Sequence, residues 1–191
     1  MNRKKLNTVL SLFIAVMFTQ INYAQTVTIG NQVWMTQNLN VDKFSNGDPI
    51  PEAKTEGEWN AYKQAGEAAW CYYENDPKNG AKYGKLYNWY AVNDPRGLAP
   101  KGWHIPTDAE WTELTDYLGG VEKAGAKMKS KEGWSDGGNG TNSSGFSGLP
   151  GGYRYRSGTF GSIGLYGRWW CSTEYIPDNA WTRNLVYNEG N

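Results

Sequence analysis

The stretch GWHIPTDAEW, Gly102–Trp111, holds the only histidine of the chain, His104, with Asp108 and Glu110 just behind it. A histidine beside carboxylates could serve general acid–base catalysis or ligate a metal. Either chemistry needs more partners than this stretch supplies. A catalytic histidine needs a nucleophile, and a zinc site needs several His or Cys ligands at close spacing. The chain has no second histidine, and its two cysteines, Cys71 and Cys171, lie far apart. The segment GFSGL, Gly145–Leu149, is like a nucleophile elbow, but Leu149 stands where the second glycine belongs and no histidine follows. The glycine-rich GGNGTNSSGFSGLPGG lacks the Lys-Ser ending of a phosphate loop. The carboxylates of Glu110 and Glu113, or Asp94 and Glu174, show no spacing that would set them at a glycosidase separation. The expectation is no catalytic set, no resident metal and no cofactor. Asp94, Asp178 and Asn179 offer calcium-type oxygens on loops, but read first as solvated.

A different chemistry gathers in the C-terminal third. The run GGYRYRSGTFGSIGLYGRWWCSTEYIPDNAW interleaves aromatic rings with arginines. In a strand, Tyr153 and Tyr155 would share one face while Arg154 and Arg156 took the other. Aromatic faces stack on the apolar C–H faces of sugars, and neighbouring polar groups bond the hydroxyls. The expected contact surface is Tyr153, Arg154, Tyr155, Arg156, Tyr166 and Arg168, with Glu174 and Arg183 as hydroxyl or carboxylate partners. Trp169, Trp170 and Trp181 read first as core, while Tyr155 and Tyr166 are open between core and surface.

Short elements must position these residues. The sequence TVTIGNQVWM alternates apolar and polar residues about Gly30-Asn31, the pattern of a tight hairpin. Thr55 with Glu58 and Thr107 with Glu110 each form a capping box, so helices are expected to begin at both. The second helix would carry Trp111, Leu114 and Leu118 on one face and end at Gly119-Gly120. Helix initiation then accounts for everything from Pro106 onward, and His104 reads as a packed or hydrogen-bonded residue at its start. AAWCYYEND reads as a buried strand, DPKNGAKYG as a turn, KLYNWYAV as another apolar run and NDPRGLAPKG as a loop. Half of the 24 glycines fall between Gly133 and Gly167, in and beyond a long loop from about Gly133 to Gly152. Ten tryptophans and 13 tyrosines with sparse aliphatics exclude a fold of long aliphatic helices.

The first residues set the compartment. Arg3, Lys4 and Lys5 precede an apolar stretch, Val9–Phe18, and a small residue at Ala24, the order of a secretory leader cleaved after Ala24. That stretch is too short for roughly 30 Å of hydrocarbon, so no permanent membrane anchor is expected. Residues 25–191 form one domain in this reading. The leader takes three basic and no acidic residues from a chain with 19 of each, so the remainder is net negative. A nucleic-acid partner is not expected, because no basic run survives. Export favours a Cys71–Cys171 disulfide, the alternative being two reduced, buried thiols.

The motifs TIGNQVWMTQNLNV, WCYYENDPKNGAKYGKLYNWYAV, GLAPKGWHIPTDAEWTEL, SGFSGLPGGYR and WWCSTE…AWTRNL, in this order, resemble the Fibrobacter succinogenes major paralogous domain of secreted Bacteroidetes proteins. The resemblance spans nearly all of the chain after Thr26 and implies an α+β, C-type-lectin-like fold, with short helices on small antiparallel sheets. It is also akin to the formylglycine-generating, sulfatase-modifying enzymes, whose helix start is similar to Ile105–Trp111. Those enzymes use a C-terminal cysteine pair that nothing here matches, and the calcium tripeptides of lectins are missing too. The family usually continues with one more cysteine-bearing strand, and Cys171 stands where it has serine. The expected function is a secreted, periplasmic or surface-associated, non-enzymatic module that binds a polysaccharide or a surface protein. The alternatives are a formylglycine-generating-type enzyme scaffold and a structural adhesion module.

Overall fold

Two capped helices and a long C-terminal hairpin organise the chain. The computed structural model describes residues 25–176 and 179–190. The leader read at residues 1–24, and Asp178 of the calcium trio, lie outside the described residues.

Strands β1 (Thr26–Ile29) and β2 (Gln32–Met35) pair antiparallel in the register Val27↔Trp34 and Ile29↔Gln32. Gly30 turns between them at φ 60°, and a Cβ there would meet the Tyr117 ring at 3.0 Å. Glycine alone meets both demands without strain. Helix α1 (Glu56–Ala65) begins with the expected capping box: the Glu58 amide donates to Thr55 Oγ1 at 3.1 Å and the Thr55 amide to Glu58 Oε2 at 2.9 Å. It buries Trp59 and stops at Gly66, φ 70°. Helix α4 (Asp108–Tyr117) repeats the device with Thr107 and Glu110, and buries Trp111 and Leu114.

The middle of the chain is more helical than its turn residues suggest. The expected strand is confined to β3 (Trp70–Cys71), which pairs with β4 (Leu86–Tyr87). The segment expected as a turn is helix α2 (Pro77–Tyr83), in which Asp76 accepts from the Lys78 amide at 2.9 Å and Pro77 takes the first position. Proline loses nothing there, because that amide has no intrahelical partner. Helix α3 (Trp89–Val92) follows β4, capped by Asn88. Helix α5 (Val121–Met128) has no capping side chain and went unread for that reason. The glycine-rich segment then runs as a loop into β5 (Gly151–Arg154), which pairs with β6 (Phe160–Ile163).

Strands β7 (Tyr166–Ile176) and β8 (Asn179–Val186) form the long hairpin, with Trp169 opposite Arg183 and Trp170 opposite Thr182. Successive strand residues face opposite ways, and the hairpin uses this to join two cores. Cys171 and Trp169 face the core of Trp34, Trp111, Leu114, Met128, Phe146 and Leu185. Trp170 packs on the second core, of Phe44, Ile50, Trp70, Tyr87, Trp89 and Leu98. Rings do the work of aliphatic side chains in both: Trp34 lies 4.7 Å from Trp111, and Trp89 lies 5.9 Å from Trp170, between centroids. A third cluster joins Ala53, Trp59, Ala69 and Cys71. The chain is therefore α+β, with small two-stranded antiparallel sheets and short helices.

Candidate binding cleft

Where these cores meet the surface, a cleft of about 1160 Å³ opens. Its walls come from the segment after β2, the β4–α3 corner, the loop before α4, strand β5 with the turn after it, and β7. Seven tryptophans contribute to the lining, among them the partly exposed Trp103, Trp169 and Trp170. The walls are held by specific bonds. Trp169 donates its indole N–H to Asn38 Oδ1 at 2.9 Å, and Trp170 donates to the Tyr87 carbonyl at 2.9 Å. Asn88, buried beside Trp89, accepts from the Ala69 and Ala91 amides and donates to the Glu67 carbonyl. The Trp111 indole N–H is buried and has no partner.

Strand β5 and β7 lie side by side, and together they assemble the expected tyrosines at one end. The Tyr153 and Tyr155 rings meet edge to face, 4.8 Å between centroids, with their phenol oxygens 3.2 Å apart. The Arg168 guanidinium from β7 lies 4.1 Å over the Tyr153 ring, and its Nε donates to Asn184 at 2.8 Å. Ser162 donates to the Tyr153 phenol, and this bond first, with that of Tyr155, holds its pKa below the usual tyrosine value. Tyr166 stands perpendicular to Tyr153 at 6.1 Å, but does not line the cleft. Tyr155 is 43% exposed.

The family model of the Fibrobacter succinogenes major domain matches residues 27–190. The chain belongs to that family. No curated protein and no solved structure matches it. The matched region runs from β1 to the last described residue, so the whole cleft lies inside the Fibrobacter domain.

Within that domain the remaining expected site residues separate. Arg154 leaves the tyrosine side: its Nε donates to Gly158 at 2.8 Å, its Nη1 donates to Ala53 at 2.9 Å, and its plane sits between Trp59 and Phe160. It ties the turn after β5 to the third core, and its Nη2 has no partner. Arg156 is exposed at the rim, on a turn that Lys63 and Asn60 of α1 hold by its carbonyls. Arg183 is ion-paired with Asp108 at the start of α4, outside the cleft lining, so it is not available as a ligand partner there. Glu174 lies eight residues beyond Tyr166 on the same strand, roughly 25 Å away at strand rise, and is also outside the lining. Trp181, expected in the core, is 43% exposed and pairs with Tyr175 at 4.4 Å on the distal hairpin.

Lys63, Lys85, Asn38 and Trp103 line the cleft without having been expected to. No local pattern marks them, because four separate segments bring them together.

His104 and Glu110 meet at the start of α4, where Glu110 completes the capping box with Thr107. His104 Nε2 lies 2.8 Å from Glu110 Oε1, while the other Glu110 oxygen accepts from the Thr107 amide at 2.8 Å. Burial would raise the Glu110 carboxyl, but the Thr107 amide and His104 outweigh it and hold its pKa below the usual value. Asp94 is engaged by Arg96, which also reaches Asp48. Among the described residues no cluster of three His, Cys, Asp or Glu side chains could hold a metal ion.

The expected disulfide is not formed. Cys71 and Cys171 are both free and buried, Cys71 in the third cluster and Cys171 in the first. Different cores claim them, and this keeps the two thiols apart. Burial pushes both thiols up to about 11.

Proposed function

We propose that this Fibrobacter succinogenes major domain is an exported, non-enzymatic recognition module of C-type-lectin-like fold that binds a saccharide in the aromatic cleft. The observation that carries the reading is the combination, in one open cleft, of partly exposed aromatic rings with arginine and amide side chains. Tyr155, Trp103 and Trp169 offer flat apolar faces, and Asn38, Arg156 and Arg168 stand beside them with polar groups for hydroxyls. Pockets for drug-sized ligands run roughly 300–1,000 Å³, and this cleft is larger. Its size suits an oligosaccharide better than a single sugar.

The non-enzymatic side of the reading rests on the thiols and the histidine. Burial pushes both thiols up to about 11, which disfavours the nucleophilic thiolate, and neither cysteine lines the cleft. Glu110, the carboxylate beside His104, is occupied with the start of α4.

A glycan array with residues 25–191, beside Tyr155→Ala and Arg168→Ala, tests the proposal. Saccharide signals that both variants lose, while their circular dichroism and melting stay unchanged, are expected. A folded protein silent on every glycan would overturn the saccharide reading in favour of a protein partner. N-terminal sequencing of the protein expressed with its leader tests export, with Gln25 the expected first residue.

A further inference from the structure

The cleft has a charge of its own. Five cationic side chains line it, Lys63, Lys85, Arg154, Arg156 and Arg168, against one carboxylate, Glu110. The chain after the leader carries more acidic than basic residues, so this excess is local. The single carboxylate is already satisfied by His104 and Thr107. None of the five cations is in contact with a carboxylate among the described residues. Among the described residues the ion pairs involve Lys54, Arg96, His104 and Arg183, and none of the five cleft cations.

Their hydrogen bonds leave capacity over. Lys63 donates to Asn60 and to the Arg156 carbonyl, and Lys85 to the Asn40 carbonyl. All these acceptors are neutral, and an ammonium has three donors. Arg168 uses only Nε, and Arg154 Nη2 is buried without a partner. Burial pulls the Lys85 ammonium below its usual pKa, against Asp42 and Glu52 acting through space. The Lys85 ammonium lies 4.3 Å over the Trp70 ring, which compensates its charge only in part, and a bound anion would supply the contact pair it lacks. The second buried donor without a partner, the Trp111 indole N–H, belongs to the same cleft and also asks for an acceptor.

We infer that the cleft selects anionic saccharides, chains bearing carboxylate or sulfate groups, which lie on the exposed rings while their charges meet the arginines and lysines. This rests on the saccharide reading above and narrows it. The aromatic faces favour a sugar over an acidic peptide, because they stack on pyranose C–H faces, whereas poly-glutamate would use only the charges.

The test is calorimetry on residues 25–191 with four probes: oligogalacturonate, its fully methyl-esterified form, a sulfated oligosaccharide and poly-glutamate. Esterification removes the charge and keeps the rings, so it isolates the electrostatic part. The free acid is expected to bind at least tenfold more tightly than the ester, with affinity falling as NaCl rises from 50 to 500 mM. Arg168→Gln and Arg156→Gln, both at exposed positions, should each weaken the acid on the order of tenfold, the scale of one charge-assisted hydrogen bond. Lys131→Gln, an exposed charge removed outside the cleft, should leave it unchanged. A sulfated probe that alone binds, with the same salt and arginine dependence, also supports the inference and identifies the anion. Ester binding as tight as the acid would overturn it while leaving the saccharide reading intact. Silence from all the saccharides would overturn the inference, while the glycan array decides the broader saccharide reading, and poly-glutamate binding as tightly as the acid would replace the sugar with an acidic protein.

Discussion

Removing the carboxamide of Asn88 would unfasten the corner from which the cleft is built. Its side chain makes three hydrogen bonds. Oδ1 accepts from the Ala69 amide at 3.0 Å and from the Ala91 amide at 2.9 Å, and Nδ2 donates to the Glu67 carbonyl at 2.8 Å. Ala69 and Ala91 are both fully buried and Asn88 is 7% exposed. In Asn88→Ala the Ala69 amide is stranded away from water, at a cost of about 1–3 kcal/mol. The Ala91 amide keeps its 3.2 Å bond to the Asn88 backbone carbonyl, so there the loss is that of the α3 cap, about 1 kcal/mol. The Glu67 carbonyl is nearer the surface and water can replace its donor. The expected loss is about 2–4 kcal/mol, a large share of a typical stability of about 5–15 kcal/mol. Asn88→Ser can still cap Ala91 but cannot span to Ala69 and Glu67, and should lose about 1 kcal/mol less. Urea unfolding at 25 °C followed by tryptophan fluorescence measures this, provided the slope with denaturant stays that of the wild type. A loss below about 1 kcal/mol for Asn88→Ala, where the buried Ala69 amide should be orphaned, would refute the reasoning.

Thr107→Ala removes the α4 cap and should destabilise by about 1 kcal/mol, read as a lower urea midpoint. Acid should erode stability through the two capping carboxylates. The Lys54 and Thr55 amides hold Glu58 below the usual glutamate pKa, and Glu110 is also lowered. A folded-state pKa below the unfolded one gives stability that is full above about 4.5 and is lost as pH falls through the depressed values. Melting temperature should therefore drop from pH 5 to pH 3, less steeply in a Glu58→Gln, Glu110→Gln double variant. The two thiols should not react with a disulfide reagent at pH 7.5 in the native protein, and both should react in urea. Reducing agent should leave the melting temperature unchanged.

Local chemistry was the most legible part of the chain. Both capping boxes, the Gly30 hairpin and the loop after Gly133 could be read because each depends on residues within a few positions of one another. Helix α2 was hidden because Asp76-Pro77 and Asn79-Gly80 are turn residues that also suit a helix start, and only the packing decides. Helix α5 offers small residues, Ala124 and Gly125, where a core stripe would show large ones. At the cleft, Tyr153, Tyr155 and Arg168 were legible from their alternation, and the contacts of β5 with β7 bring them together. Arg183 and Arg154 have the same residue type as Arg168, but one meets Asp108 and the other the Ala53 carbonyl. Nothing within either segment encodes those partners, since each lies more than 70 residues away in the chain. The cysteine spacing leaves pairing open for the same reason, because proximity is a tertiary fact.

The hairpin that feeds Trp169 to one core and Trp170 to the other has a consequence for how the molecule comes apart. Neither half can melt while its neighbour stays intact, since the two indoles share one backbone and pulling either strips both. Unfolding should register as one transition by every probe. A single residue inserted before Trp169 would exchange the destinations of the two rings and be lethal to the fold.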